Sequence, residues 1–336
     1  KQRSYHCLIL LDNNRVLAIG GYREKSCEIY FINENSWVLV DSLNVMRLSG
    51  LTASLLNNGE VIVTGGFALT DDLRTQYYLN GVEIFNPALN KWREVDSLKI
   101  GRAYHSATLL SDGKLLVAGG ETTGIELNEC ELFDPATEQW SVADSLNVSR
   151  YNHSQILLPN GTVLVSGGSN YTNPTSPWLN SCEIYEPDFN TWSLVQPLHY
   201  TRNTHSSLLL NNGLILFAGG SQGDDTWELY DPNLFENIYS DNFPIVQMLQ
   251  RIEKLPNGNV ISIGGITWRD STLPVITTTA MCEIYSSVTD VNTELNKKEL
   301  TFNLSQNFPN PFNSTTAINY NLNKPDDVKL IVYNIL

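Results

Sequence analysis

The chain has 336 residues, of which 42% are hydrophobic, and a formal net charge of −15. This length allows one large domain or two. The acidic balance argues against nucleic acid and anionic membrane surfaces as partners, because both require a basic face. No apolar run approaches the ~20 residues of a membrane-spanning helix, so we expect no transmembrane segment.

The chain repeats a pattern with a period of roughly 50 residues. Each repeat opens with an arginine, which we assign to a first strand, and a histidine often follows three residues later. The arginines of the first five repeats are Arg3, Arg47, Arg102, Arg150 and Arg202. The histidines are His6, His105, His153 and His205.

A tight turn follows the first strand of each repeat. The turn has the sequence Asp-Asn-Asn at Asp12–Asn14 in the first repeat. In the others it is Asn-Gly or Asp-Gly, beginning at Asn58, Asp112, Asn160, Asn212 and Asn257. Such dipeptides between apolar runs predict β-hairpins with type I′ turns, which need a positive φ at both central residues.

The second strand of each repeat ends in two glycines. The doublets begin at Gly20, Gly65, Gly119, Gly167, Gly219 and Gly264. An apolar run that ends this way indicates a strand buried on both faces, with glycine where another backbone or side chain approaches closely.

Third and fourth strands complete each repeat. The third begins with Glu-Ile-Tyr or a close variant, at Glu28, Glu83, Glu131, Glu183, Glu228 and Glu283. The fourth begins near a tryptophan, at Trp37, Trp92, Trp140 and Trp192. Four antiparallel strands repeated six times, with no helical pattern between them, indicate blades arranged around an axis.

These features together resemble kelch repeats over residues 1–287. The resemblance implies an all-β fold, a six-bladed kelch-type β-propeller. The sixth repeat has Gln247 and Gln250 in place of arginine and histidine, and it shows no fourth strand after Tyr285. We therefore expect blade 6 to be short or irregularly completed, with its closing strand upstream of Lys1.

The periodicity ends near residue 287. Residues 288–302 are polar and are predicted to form a linker. Residues 303–336 contain Leu304-Ser-Gln-Asn-Phe-Pro-Asn-Pro-Phe-Asn313, which resembles the start of the C-terminal sorting domain of the type IX secretion system. The resemblance implies a small β-sandwich, here partial, with the type IX secretion machinery as partner. It also implies a location outside the cell or on the outer-membrane surface of a Gram-negative, Bacteroidetes-like bacterium.

The repeated arginines have two interpretations. Antiparallel strand order places the arginine, the glycine doublet and the glutamate of one repeat on the same rim, so Arg102 can meet Glu131 in a partly buried ion pair that stabilises the blade. Alternatively, the five arginines form a ring around the axis that binds a carboxylate or sulfate group.

The repeated histidines are expected to be structural. Equivalent positions around a wide channel do not converge to the ~2 Å bonds that zinc or copper requires. No sequence motif for nucleophilic catalysis or phosphate binding is present. We therefore assign no catalytic residue and expect no metal and no cofactor.

The loops after the glycine doublets vary between repeats, and variable loops commonly carry function. Aromatic and polar side chains in the longer loops suit a sugar ring or a peptide, although they also suit a plug for the mouth of the propeller. The candidate ligand-binding residues on this loop rim are Arg74, Tyr77, Tyr78, Tyr171, Trp178, Trp268, Arg269 and Asp270.

The sequence favours a secreted or surface-attached, non-catalytic module that binds a glycan or a protein ligand. The alternative is a carbohydrate-active enzyme resembling the kelch-type sialic acid mutarotases. Such an enzyme needs an acid/base group in the axial pocket, for which Asp270 beside Arg269 is a candidate. A carboxylate that has no ion-pair partner and lies next to an arginine would favour the enzyme.

Overall fold

The computed structural model describes residues 3–70, 75–171, 177–220, 226–242, 251–254, 260–263, 266–269, 275–278 and 282–285. Within these ranges every regular element is a β-strand. The chain divides into two compact units, Lys1–Asn203 and Thr204–Leu336. The predicted linker and sorting domain lie outside the described residues.

The first unit contains four consecutive antiparallel sheets, each built mainly from one repeat. Blade 1 contains β1 (Cys7–Asp12), β2 (Arg15–Ile19), β3 (Cys27–Phe31) and β4 (Ser36–Val40). Blade 2 contains β5 (Ser49–Leu55), β6 (Val61–Leu69), β7 (Gln76–Tyr78), β8 (Val82–Asn86) and β9 (Lys91–Val95). Blade 3 contains β10 (Ser106–Leu109), β11 (Leu115–Ala118), β14 (Cys130–Asp134) and β15 (Gln139–Ala143), with a hairpin of β12 (Glu121–Thr122) and β13 (Ile125–Glu126). Blade 4 contains β16 (Ser154–Leu157), β17 (Val163–Ser166), β18 (Cys182–Glu186) and β19 (Thr191–Val195).

The second unit begins with blade 5, a four-stranded sheet of β20 (Ser206–Leu209), β21 (Ile215–Ala218), β22 (Thr226–Asp231) and β23 (Glu236–Asn242). A three-stranded sheet follows, formed by β24 (Arg251–Lys254), β25 (Val260–Ile263) and β28 (Cys282–Tyr285). A separate hairpin pairs β26 (Ile266–Arg269) with β27 (Val275–Thr278).

The prediction of six blades is wrong, because the part of the chain that the structure describes forms five. The sixth repeat forms only the three-stranded sheet of β24, β25 and β28 among the described residues. This repeat has Gln247 and Gln250 where the first, third, fourth and fifth repeats have arginine and histidine.

In the first unit the blades pack face against face. Their first strands are neighbours in chain order, with β1 against β5, β5 against β10, and β10 against β16. Leu17 and Ile19 of blade 1 share one core cluster with Val61 and Val63 of blade 2. Each interface is therefore apolar, which is why the second strands have apolar residues on both faces.

The hairpin turns differ from the predicted type I′ geometry. Gly113 has φ +89° and its N–H donates to Leu110 O, while Leu110 N–H donates to Lys114 O. The non-glycine turn residues such as Asp112 do not adopt a positive φ among the described residues. In blades 2 to 5 these are three-residue loops in which a type I turn is followed by one left-handed glycine.

The glycine doublets bring successive blades into close contact. A Cβ atom on Gly65 would lie 2.4 Å from Arg102 O and 2.6 Å from His105 Cε1. The second position is equally restricted, since a Cβ atom on Gly120 would lie 2.8 Å from Ala103 O. The backbone and histidine of the next blade occupy the space at the first glycine, and the backbone of the same blade occupies the space at the second, as the sequence predicted for these glycines.

Candidate functional site

The arginines that open blades 2 to 4 are buried in ion pairs. Arg102 Nη2 donates to Glu131 Oε1 at 2.7 Å, and Arg102 Nη1 donates to Gly119 O at 2.8 Å and to Glu129 O at 2.7 Å. The equivalent pairs are Arg47 with Glu83 at 2.9 Å and Arg150 with Glu183 at 2.8 Å. All three arginine side chains are 0% exposed. Their donors are directed at carboxylate and carbonyl oxygens of their own blade.

The glutamates also hold the connection to the preceding blade. Glu131 Oε2 accepts the backbone N–H of Lys99 at 2.7 Å, and Glu183 Oε2 accepts that of Asn147 at 2.6 Å. Each carboxylate thus bonds both the arginine of its own blade and the segment that connects this blade to the preceding one. In blade 1, Arg3 Nη2 bonds Glu28 Oε2 at 2.6 Å. In blade 5, Arg202 and Glu228 are each fully buried.

The segment between arginine and histidine is not part of the first strand, which begins one residue after each histidine. Its third residue has a left-handed backbone conformation, with φ of +56° at Tyr5 and +55° at Tyr104, so it cannot continue a strand. Tyr104 N–H donates to Gly50 O at 2.8 Å, and Asn152 N–H donates to Tyr104 O at 2.9 Å. This chain of backbone hydrogen bonds links equivalent positions of blades 2, 3 and 4.

The histidines lie against the preceding blade. His105 Nε2 is 2.8 Å from Thr64 Oγ1 and 3.0 Å from Thr52 Oγ1, and His153 Nε2 is 2.6 Å from Ser106 Oγ. Burial, with the nearby Arg102 and Arg47 charges, lowers the pKa of His105 to about 3. The imidazole is therefore neutral at physiological pH and joins two blades. In the described part of the chain, no three His, Cys, Asp or Glu side chains are placed to hold a metal ion.

A series of aromatic rings crosses the same rim from blade 2 to blade 4. The ring centroids of Phe67 and Tyr104 lie 6.1 Å apart, those of Tyr104 and Tyr151 lie 6.5 Å apart, and those of Tyr151 and Tyr171 lie 5.3 Å apart. Tyr151 is buried, Tyr104 is half-buried and Tyr171 is 57% exposed. Tyr171, at the blade-4 end of the series, therefore leaves aromatic surface open to solvent.

Two carboxyl groups stand beside these rings on the β12–β13 hairpin. Glu121 and Glu126 are directly paired across the hairpin. Tyr78 Oη donates to Glu121 Oε1 at 2.9 Å, and Tyr171 N–H donates to Glu126 Oε1 at 2.6 Å. Burial raises the pKa of Glu121, and the charge of Glu126 raises it further, against the opposing effect of the Tyr78 hydrogen bond. We call Tyr78, Tyr104, Glu121, Tyr151 and Tyr171 the tyrosine site.

The structure brings two of the predicted rim residues, Tyr78 and Tyr171, to this site from opposite sides of the hairpin. Tyr77 lies beside Tyr78 on β7 and is exposed. Trp178 is half-buried and bridges to Ser169, which in turn bridges to Tyr151. Their role as ligand-binding residues stays a prediction.

The other four predicted rim residues are described by the structure only in part or not at all. Trp268 and Arg269 end strand β26, and only their backbone is described. Arg74 and Asp270 lie outside the described residues.

Sequence reasoning missed four residues of this region: Glu121, Glu126, Tyr104 and Tyr151. The two tyrosines occupy the middle positions of their Arg-x-x-His segments, which vary between repeats while the flanking residues recur. This variation between repeats was the sequence signal that could have identified Tyr104 and Tyr151 as candidate site residues. Glu121 directly follows the Gly119-Gly120 doublet in a short loop that carries no compositional signal of its own.

Comparison with known proteins agrees with the repeated architecture. The kelch motif is recognised at residues 102–147 and 156–199. A sequence similarity of 29% identity over 94 residues relates the chain to "Protein C13" of Swinepox virus (strain Kasza), covering 28% of this chain and 18% of that protein. The chain therefore spans less than a fifth of the length of this curated relative.

The fold is also similar to a solved structure described as "Structure of YjhT". The two superpose with a TM-score of 0.65 at 14% identity, over 84% of this chain and 95% of the other. A similarity at this identity shows the fold alone. Together, the motif and the superposition define a protein with kelch repeats and an all-β propeller fold. Within the described ranges, no helix has the length and hydropathy needed to cross a bilayer.

Proposed function

We propose that this protein is a non-catalytic binding module that captures a glycan at the tyrosine site, with Tyr77 and Trp178 at its margin. The observation that carries the proposal is the convergence of three blades on one partly exposed aromatic surface beside a half-buried carboxyl group. Flat aromatic faces stack on sugar rings, and carboxyl oxygens accept hydrogen bonds from hydroxyl groups.

A second candidate function, the carbohydrate-active enzyme, is favoured by Glu121. This residue has a raised pKa and no ion-pair partner in the described part of the chain, as a general acid would require. The arginines nearest to it in the repeat are, however, fully buried in ion pairs with glutamates. Because these arginines are not available to hold the carboxylate of an acidic sugar, binding without catalysis is the better proposal.

Glycan and peptide arrays, followed by titration calorimetry of the hits, test the proposal. We expect the wild-type protein to retain a glycan and Tyr171→Ala to lose most of its affinity. Phe189→Ala is the matched control, because Phe189 is an exposed aromatic residue in the β18–β19 turn. Capture of peptides alone would contradict the proposal, and anomer exchange of a free sugar, abolished by Glu121→Gln, would favour the enzyme.

We also propose export through the type IX secretion system to the cell surface or medium. The support is the Leu304–Asn313 sequence, which lies outside the described residues. The test compares secretion of the protein with and without Leu304–Asn313 in a bacterium that has the system, and equal secretion of both would contradict the proposal.

A further inference from the structure

We propose that the tyrosine site selects uncharged oligosaccharides over acidic ones. The inference rests on the proposed function and adds the chemical class of ligand. It opposes the reading of the repeated arginines as an anion-binding ring, and it follows from which charged groups the rim has available for a ligand.

The arginines that open blades 2 to 4 are committed to other partners. Arg47, Arg102 and Arg150 each bond a glutamate and two backbone carbonyl oxygens, and none is exposed to solvent. Turning one of these guanidinium groups toward a ligand would leave a buried carboxylate without a counter-ion, which is strongly unfavourable. The arginines of blades 2 to 4 therefore cannot serve as receptors for a sugar carboxylate or sulfate.

The described charged groups at the site are two carboxyl groups. Glu121 and Glu126 are paired across the β12–β13 hairpin, and they bond Tyr78 Oη and Tyr171 N–H. An anionic ligand on the tyrosine site would therefore meet two carboxyl groups of its own charge sign.

The same groups suit a neutral sugar. Tyr171 is 57% exposed, and the buried Tyr151 ring, 5.3 Å away between centroids, supports it from below. Glu121 has one oxygen bonded by Tyr78 Oη, and its carboxyl group retains further acceptor capacity for sugar hydroxyls. A short uncharged oligosaccharide can stack on the exposed end of the series while one of its hydroxyls bonds Glu121.

The test compares neutral and acidic forms of the same sugar. Titration calorimetry on the full chain would use lactose with sialyllactose, and a neutral galactan with polygalacturonate. Array hits extend the panel, each paired with its acidic form. We expect at least tenfold tighter binding of the neutral member, and a loss of about tenfold for Tyr171→Ala.

Two substitutions, Glu121→Gln and Glu121→Lys, test whether the charge of this side chain decides between neutral and acidic sugars. The glutamine retains an acceptor, so binding of the neutral sugar should persist within a few-fold, whereas the lysine should bring the acidic sugar to equal or higher affinity. Thermal unfolding of each variant and the Phe189→Ala control exclude loss of fold. Binding of acidic sugars in preference to neutral ones, removed by Tyr171→Ala, would overturn this inference and leave the proposed function intact. Absence of any glycan binding would overturn both.

Discussion

Trp140 donates its indole N–H to the backbone carbonyl oxygen of Asp96 at 2.9 Å and so fastens the outer strand of blade 3 to the end of blade 2. Trp92 bonds Asp41 O in the same way at 3.1 Å, and Trp192 bonds Asp144 O at 3.0 Å. Each of these tryptophans is at most 7% exposed, whereas Trp37 in blade 1 is 48% exposed. The tryptophan of blade 1 is therefore exposed to solvent, whereas its equivalents in blades 2 to 4 are buried against the preceding blade.

Trp140→Phe should lower the free energy of unfolding by about 1–2 kcal/mol, because it removes a buried hydrogen bond and some packing. Trp37→Phe is the matched control, since both tryptophans pack on the aromatic residue opposite them, at 5.1 Å from Phe133 and 5.0 Å from Tyr30. Chemical denaturation of both variants is the measurement. Equal losses would show that the contact with Asp96 is not what stabilises the blade.

Arg150→Leu should destabilise the protein by about 3–5 kcal/mol, because it leaves the Glu183 carboxylate buried without a counter-ion. The exposed pair of Arg15 and Asp12 provides the control, and Arg15→Gln should cost less than about 1 kcal/mol. The shift of the thermal unfolding midpoint measures both effects.

The combination of Arg150→Leu with Glu183→Leu gives a further check. Gly167 O and Ser181 O lose their donor in this variant, and Asn147 N–H loses its acceptor. Because these buried backbone groups stay unsatisfied, the double variant should not recover wild-type stability. Full recovery would mean that the charges alone matter at this position.

Gly65→Ala should prevent folding or lower stability by several kcal/mol. Its φ is +58°, and the new methyl group would overlap Arg102 O and His105 Cε1. Gly59→Ala is the control, since Gly59 has φ +83° but nothing within 4 Å of the added atom. That variant should lose only about 1 kcal/mol of backbone strain. Soluble yield and circular dichroism distinguish the two, and similar behaviour would contradict the close-contact explanation of the doublet.

His105 should make the protein sensitive to mild acid. Its pKa falls from 6.5 to about 3 on folding, so the unfolded chain binds a proton more readily than the folded one. The stability contributed by the neutral imidazole is complete above about pH 6.5 and decreases as the pH falls toward about 3, by at most about 1.4 kcal/mol per pH unit. Unfolding midpoints measured from pH 7 to pH 4 should therefore fall less steeply in His105→Gln, and parallel profiles would contradict this prediction.

Local chemistry allowed the repeat to be predicted well. The arginine, the glycine doublet and the glutamate were expected to meet on one rim, and Arg102, Gly119 and Glu131 do so. The reason is that antiparallel order fixes which strand ends are neighbours. The number of blades was not predictable in this way, because residues 251–285 carry the same strand pattern as the other repeats but form a sheet of only three strands among the described residues.

The tyrosine site was only half predictable from sequence. Tyr78 and Tyr171 stood out as aromatic residues in long loops, yet their partner Glu121 is 43 residues from Tyr78 along the chain. The turns were misjudged for a related reason. Asp112-Gly113 is compatible with type I′ and with a type I turn followed by a left-handed glycine, and the pairing of Leu110 with Lys114 selects the latter.

At every described junction from blade 1 to blade 4, the tryptophan and the glutamate belong to the later blade. Their hydrogen-bond partners belong to the end of the earlier blade or to the segment that connects the two. A gene segment that encodes one repeat therefore encodes the tryptophan and glutamate that bond the blade before it. It also encodes the backbone groups that the blade after it bonds. Duplication of such a segment therefore supplies these contacts between blades together with the new blade.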